Sequence, residues 1–267
     1  MRVETFREDL RLLPRYRTLI WNLILKDLHL KYRSSILGYL WSLINPLMMM
    51  ATYILAFKYI LQMRKIGGVD SAMMIIVGLL FWDLFGMVLT SSSNCLLNNM
   101  GLIAKVRMPR ICPIISNHLY QLILHFLIYP VLMGLLFFYY RCPVTINLIY
   151  FILTFVLLNI FLFGAGMILA VGTVYYRDIT HLLDVALRLL FWFSPIVYSL
   201  DRIPERFQPY FKLMPLTPFL RCIQNSLCKG LPPPGPSFGL CAIYAVVALV
   251  AGFFIFYRYQ HRLVEVY

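Results

Sequence analysis

The 267-residue sequence is short of charge, and most of all of acid. Asp, Glu, Lys and Arg together make up 13% of it, about half the share of an ordinary soluble domain. Only 11 residues are Asp or Glu, against 24 Lys or Arg. No G-x-x-x-x-G-K-[S/T] stretch occurs, and the dipeptide Gly-Lys is absent altogether. The chain therefore has no phosphate loop of that kind. There is no C-x-x-C either. The six cysteines (Cys95, Cys112, Cys142, Cys222, Cys228 and Cys241) are scattered, which excludes a zinc ribbon or a dithiol redox motif. Paired carboxylates on one helix face, as a glycosidase or aspartyl site needs, are also missing.

What the sequence has instead is apolar surface. Apolar residues reach 61% and aromatic ones 16%, more than a soluble fold of this size can hide. A soluble enzyme, a disordered chain, a coiled coil and a basic nucleic-acid binder are all excluded. The fold class is an all-α polytopic membrane protein. Crossing the hydrocarbon core takes about 20 apolar residues. Six charge-poor windows supply candidate spans at 36–60, 72–94, 112–139, 146–170, 182–199 and 238–257. None alternates as a membrane β-strand would. The layout reads as a cytoplasmic N-terminus over 1–35, a transmembrane domain over 36–257 and a cytoplasmic C-terminus over 258–267. Residues 1–33 lack a long apolar core with a small-residue cleavage site, so the first span is expected to be a retained anchor. With the N-terminus inside, fourteen Lys/Arg fall on cytoplasmic segments and nine outside. That favours both termini in the cytoplasm.

Three segments between the spans carry features of their own. Over 19–33, Asn22, Lys26, His29 and Arg33 fall on one helical face, and Ile20, Trp21, Ile24, Leu25 and Leu28 on the other. That pattern predicts a basic amphipathic helix in the membrane interface. Asn98–Arg110 reads as a cytoplasmic helix ending at Pro109, with Lys105, Arg107 and Arg110 facing water. Val174–His181 reads as a tighter turn with Arg177, Asp178 and His181. The stretch 201–236 is too polar to span and is broken by Pro204, Pro209, Pro215, Pro218 and a triple proline. It reads as short helices dipping into the outer leaflet, which requires a neighbouring protein wall or water-filled cavity.

Within the spans, Asp83, Asp184 and Arg188 are the ionisable residues and so the functional candidates. Asp184 and Arg188 are four apart and can neutralise each other. His118 and His125 share a face without a third ligand, so interhelical hydrogen bonding is the better account than a metal. Tyr39, Pro46, Met50, Tyr53 and Phe57 form a stripe on the first span, suited either to helix packing or to sugar rings along a path. Cys222 and Cys228 fall outside, where a disulfide is permitted, although buried small hydrophobes are the stronger reading.

Four stretches, in order, carry a family resemblance. Lys26-Asp27-Leu28-His29-Leu30-Lys31-Tyr32-Arg33-Ser34-Ser35-Ile36-Leu37-Gly38-Tyr39-Leu40-Trp41-Ser42-Leu43-Ile44-Asn45-Pro46 resembles the entrance signature of type-2 permeases of ATP-binding-cassette polysaccharide exporters. These are the membrane subunits that export O-antigen, capsule or teichoic acid. Asn99-Met100-Gly101-Leu102-Ile103-Ala104-Lys105-Val106-Arg107-Met108-Pro109-Arg110 is similar to that family's first coupling segment, and Tyr176-Arg177-Asp178-Ile179-Thr180-His181 to its second. Ser194-Pro195-Ile196-Val197-Tyr198 with Ile203-Pro204 resembles the end of the fifth span and the start of a re-entrant gate. Met214-Pro215 departs from the family's usual Asn-Pro there.

The resemblance implies a homodimer of six-span subunits with two separate ATPase subunits, which would bind the ATP and magnesium. This chain itself is expected to bind no cofactor or metal. It implies a glycan path through Tyr39, Tyr53, Phe57 and Arg188. Lys26, Lys31 and Arg33 would meet a lipid-linked substrate, and Pro204, Pro209 and Pro215 would shape the gate. ATPase coupling would run through Asn99, Leu102, Lys105, Arg107, Arg110, Arg177, Asp178 and His181. An integral-membrane glycolipid enzyme is the alternative from another class, with His181, Arg177, Asp178 and Asp184 as the nearest approach to a cluster.

Overall fold

The structure is a computed structural model and describes residues 11–33, 37–62, 65–66, 68–106 and 108–260. It is a bundle of helices around one central helix. In chain order these are α1 (Arg17–Tyr32), α2 (Trp41–Ile54, continued by a π-helical turn Leu55–Ile60), α3 (Ser71–Asn98), α4 (Met100–Lys105), α5 (Cys112–Phe126) and α6 (Tyr129–Gly134, continued by a π-helical turn Leu135–Tyr139). There follow α7 (Leu148–Tyr175), α8 (Ile179–Phe193), α9 (Gln208–Lys212), α10 (Thr217–Ile223, continued by a π-helical turn Gln224–Cys228) and α11 (Gly235–Tyr259). A two-residue antiparallel ribbon, β1 (Lys65–Ile66) on β2 (Val69–Asp70), joins α2 to α3.

Helix α3 is the hub, because its first half is apolar on nearly every face and such a helix has to be enclosed. Ala72, Ile75, Val77, Phe81, Leu84 and Val88 are fully buried. Its start is defined by Asp70, whose carboxylate accepts the Ala72 amide at 2.9 Å and the Lys58 ammonium at 3.1 Å. This N-cap satisfies a donor that has no partner within the helix.

Two long helices, α7 and α11, pack against each other through small residues. A Cβ built on Gly164 would overlap the Ala248 backbone, and one on Gly252 would sit 2.5 Å from the Gly164 carbonyl oxygen. Only glycine allows that approach, which is how membrane helices gain van der Waals contact where lipid is as apolar as they are.

Five helical segments are long and apolar enough to cross a membrane: Leu43–Ile60, Ser71–Lys105, Cys112–Tyr139, Leu148–Tyr175 and Gly235–Tyr259. They correspond to the first four and the last of the expected spans. The third is interrupted between Phe126 and Tyr129, where Pro130 lacks the amide that would continue the ladder. The expected span 182–199 is shorter than anticipated. Its helix α8 runs for 15 residues, about 22 Å, and stops at Ser194. That residue adopts extended backbone because it precedes Pro195. The chain then tucks inward, with Ile196 against Gly78 of α3. The Trp192 carbonyl loses the Ile196 amide to Ser194, and the Tyr198 hydroxyl donates to it at 2.6 Å.

Helix α1 packs on α5 through Ile20, Ile24 and Leu28 against Tyr120, Ile123 and Leu124. The expected two-faced division is only partly observed. Trp21 and Leu30 stay exposed, while the enclosed residues are Leu23 and Ile24.

The 201–236 stretch does form short helices between its prolines. Helix α9 has no buried residue and exposes Pro209 and Tyr210, whereas α10 joins the main core through Phe219, Leu220 and Ile223. All six cysteines are buried thiols. Cys222 lies 4.0 Å from Cys241 on α11 rather than pairing with Cys228.

Candidate functional site

A cavity of about 510 Å³ opens beside the C-terminal end of α1 and runs between α2, α3, α5 and α8. Its walls are aromatic and its charges few. Trp41 and Tyr53 come from α2, Trp82 from α3, and Phe191 and Trp192 from α8. The rings form a ladder. Tyr53 stacks on Phe57 with centroids 6.0 Å apart and meets Phe191 at the same separation. Phe191 in turn meets Trp82 at 5.4 Å and Trp192 at 5.3 Å, both edge-on. Pro46 sits inside α2 and faces the same cavity.

Asp83, His125, Lys31 and Arg188 are the ionisable residues along that wall. The Asp83 carboxylate lies 3.5 Å from His125 Nε2. His125 is enclosed, and its Nδ1 lies 3.0 Å from the Gln121 carbonyl oxygen one turn back. The ring thus faces Asp83 across the gap from α5 to α3, but the expected interhelical hydrogen bond is not formed, Nε2 having no hydrogen-bond partner. His118 instead sets its ring edge against Phe163 of α7 at 5.5 Å. At the cavity mouth, desolvation draws the Lys31 ammonium below the ordinary lysine pKa, and the Asp83 carboxylate opposes that shift. No ion pair joins Asp184 to Arg188 among the described residues, so Arg188 is left to the cavity. Among the described residues no serine, threonine or cysteine lines it, so the Asp83–His125 pair has no nucleophile to activate. Its walls suit an amphiphile with an anionic group and an apolar body.

A second, polar chamber of about 690 Å³ adjoins the first and shares Trp82, Asp83, Met87 and Leu187 with it. Asp27, Thr90, Ser91, Asn94, Asn98, Asn99, Asn117 and Gln121 line it. Asn117 of α5 donates to Ser91 Oγ at 3.1 Å and to Ser92 Oγ at 3.2 Å on α3. This chamber was not anticipated from the sequence, although the run Thr90–Asn94 in an otherwise apolar helix was a readable signal.

Lys26 is half-exposed but is not a free cation. Its ammonium donates to Asn99 Oδ1 at 2.6 Å and pairs with Asp27 at 3.2 Å. Asn99 is enclosed and donates through Nδ2 to the Cys95 carbonyl at 2.8 Å. Together they tie α1 to the junction of α3 and α4. Arg33 lies exposed in the turn after α1.

The expected helix over 98–110 is only the six-residue α4, bounded by Asn99. On it Leu102 is half-buried and Lys105 exposed. Arg110 does not face water as expected: its guanidinium donates to the Gln260 carbonyl at the end of α11. Arg177, Asp178 and His181 are exposed on the turn into α8. Asp178 makes no side-chain cap there, and among the described residues no ion pair links these groups into a catalytic cluster. Pro204 and Pro209 are exposed and Pro215 is half-buried, Pro209 in the first turn of α9 and the other two in the turns on either side of it. Arg107 and the side chain of Tyr39 lie outside the described residues.

The profile of the ABC-2 type transporter family matches residues 18–227. The chain belongs to that family. The match runs from α1 to the end of α10 and takes in both cavities and the short α9–α10 helices. As an ABC-2 family member it is a transport subunit rather than an enzyme. It is 29% identical over 243 residues to the O-antigen export system permease protein RfbA of Klebsiella pneumoniae, covering 90% of this chain and 92% of that protein. It is 29% identical to the protein of the same name in Myxococcus xanthus, over 73% of this chain and 74% of that one. To the polysialic acid transport protein KpsM of Escherichia coli it is 24% identical, over 86% and 89%.

Proposed function

We propose that this ABC-2 transport subunit is the membrane permease of an exporter for a lipid-linked polysaccharide of the O-antigen type. It works as a homodimer with two copies of a separate ATPase, which binds ATP and magnesium. It sits in the bacterial cytoplasmic membrane with both termini inside. Helix α8 and the buried Ser194–Val197 segment supply a sixth crossing, and α9–α10 form a re-entrant gate.

The observation that carries this reading is the ring-lined cavity with cations at its mouth. A pyrophosphate-linked lipid needs cations for its head group and apolar walls for its chain. Lys31 and Arg188 supply the first, with Arg33 at the approach. Trp41, Tyr53, Trp82 and Phe191 supply the second. Asp83 and His125 hold α3 and α5 at the spacing that keeps the cavity open. Rings along the path pass successive sugars without holding any one of them tightly. Closure of the ATPase would press on α4, through Leu102 and Lys105, and on the Arg177–His181 turn. Lys26, Asn99 and Arg110 are engaged within the bundle and would transmit that push to α1 and α11.

Co-expression with a separately encoded ATPase should give a stable stoichiometric complex that exports polymer. Export by the chain alone would overturn the reading. Substituting Arg177 and Asp178 together should leave insertion and ATP hydrolysis intact and stop export. Lys31 and Arg33 changed to Ala should weaken capture of the lipid-linked substrate. Similarity to KpsM supports a capsular polymer as the second reading, and export assayed with each polymer class separates the two.

A further inference from the structure

Apart from Trp82, Asp83 and Asn99, the residues lining the polar chamber beside the ring-lined cavity have no part in lipid capture or ATPase coupling. Its position and chemistry give it a role of its own. Its size falls within the roughly 300–1,000 Å³ of small-molecule sites. It contrasts with its neighbour in composition. The first cavity is aromatic and carries cations. The second is lined by hydroxyls and carboxamides from three helices: Thr90, Ser91, Asn94 and Asn98 on α3, with Asn117 and Gln121 on α5 and Asp27 on α1. Amides and hydroxyls both donate and accept, as the hydroxyl-covered face of a sugar requires. Gln121 is 5% exposed, and its Oε1 has no hydrogen-bond partner. That acceptor is deeply enclosed in a wall otherwise well satisfied, where an orphan is costly.

The charges lining the chamber have one sign. Asp27 and Asp83 face it, and among the described residues no Lys, Arg or His does. Outside the lining, Lys26 is bound to Asp27 and Asn99, while His125 and Lys31 lie on the other side of Asp83. These groups offset part of the two negative charges, and a further carboxylate brought into the chamber meets the remainder as repulsion. The two spaces share Asp83 and Trp82, so one bound molecule can occupy both.

We infer that the polar chamber is a sugar subsite that holds the lipid-proximal saccharide while the adjoining cavity holds the pyrophosphate and the start of the lipid, and that it selects neutral or amino sugars over uronic acids. This deepens the proposed function and rests on it. Holding that first sugar would register the polymer's lipid end before the chain enters the path.

The test uses the full chain in lipid nanodiscs and three synthetic short-chain polyprenyl pyrophosphates: bare, carrying one N-acetylhexosamine, and carrying one hexuronic acid. Binding is read from tryptophan fluorescence, since Trp82 lines both spaces. The N-acetylhexosamine lipid should bind roughly tenfold tighter than the bare one, the worth of one or two net hydrogen bonds. The uronate lipid should bind no better than the bare one. Asn94→Leu should erase the advantage of the sugar while leaving the bare lipid's affinity in place. Asp27→Asn should narrow the gap between the uronate and N-acetylhexosamine lipids. Equal binding of bare and sugar-bearing lipids would overturn the subsite alone. Preference for the uronate lipid would overturn the selectivity. Failure of all three lipids to bind a folded chain would overturn the proposed function and this inference with it.

Discussion

Lys26 offers the sharpest contrast between what its charge suggests and what the structure gives it to do. By sequence it is one of the cations placed to meet a lipid head group. In the fold its ammonium is 2.6 Å from Asn99 Oδ1, and Asn99 is held in turn by the Cys95 carbonyl. A hydrogen bond to a charged group contributes about 1.5–3 kcal/mol. The Lys26 side chain is 40% exposed, so water competes and about 1–2 kcal/mol is expected. The Asp27 contact adds little, being close to solvent. Lys26→Met should therefore lower the midpoint of thermal unfolding by about 3–6 °C. All six cysteines are buried, so a thiol-reactive dye reports unfolding directly.

The control is the pair of variants. Asn99→Leu should cost a similar amount, and Lys26→Met combined with Asn99→Leu should cost about 1 kcal/mol less than the two added together, because neither polar group is then left alone. Simple additivity would refute the tether. So would a Lys26→Met chain of unchanged stability that no longer captures lipid substrate, since Lys26 would then act as a free cation.

Other expectations follow from packing and capping. Gly164→Val should drive α7 from α11 and cost at least about 1–3 kcal/mol, seen as loss of folded protein on detergent extraction. Gly134→Ala has open space around it and should be neutral or slightly stabilising in the same assay. Asp70→Ala removes the cap of α3 and the partner of Lys58 together. It should lower stability by about 1 kcal/mol, whereas Asp70→Asn should keep most of the cap.

The crossings were legible because length and lack of charge are linear properties of a sequence. Five of six windows became helices long enough to span. The sixth was misjudged in extent: Pro195 lies inside an apolar run, and a hydropathy window does not register that the residue before a proline leaves the helical region. Short helices between the prolines of 201–236 were legible for the converse reason, since the punctuation there is dense. Pairings across helices were not. Asp83 and His125 were each visible as oddities in an apolar span, but their meeting depends on the relative rotation of α3 and α5. Arg110 is the plainest case. It looked like a solvent-facing cation on a loop, and its partner is a carbonyl 150 residues away.

The polar groups are not spread evenly through this apolar bundle. Lys26–Asn99, Asn117 with Ser91 and Ser92, Asp83–His125 and both cavities fall in the part of the bundle that α1 covers. At the opposite end of α3 the core is Ala72, Ile75, Ile76 and Val77, closed over by Leu216, Phe219 and Leu220 of the α10 region. Polar side chains occur there too: Asp70 caps α3 and pairs with Lys58, and Thr217, Gln224 and Ser226 are buried in the α10 region. The two ends therefore differ in degree: the α1 end is held by several polar ties across helices, the α10 end mainly by apolar packing, in which each attraction is weak. The ties around α1 are hydrogen bonds and charge pairs. Stiffer ties at the α1 end and a mainly packed α10 end place the weaker contacts at the α10 end of the bundle.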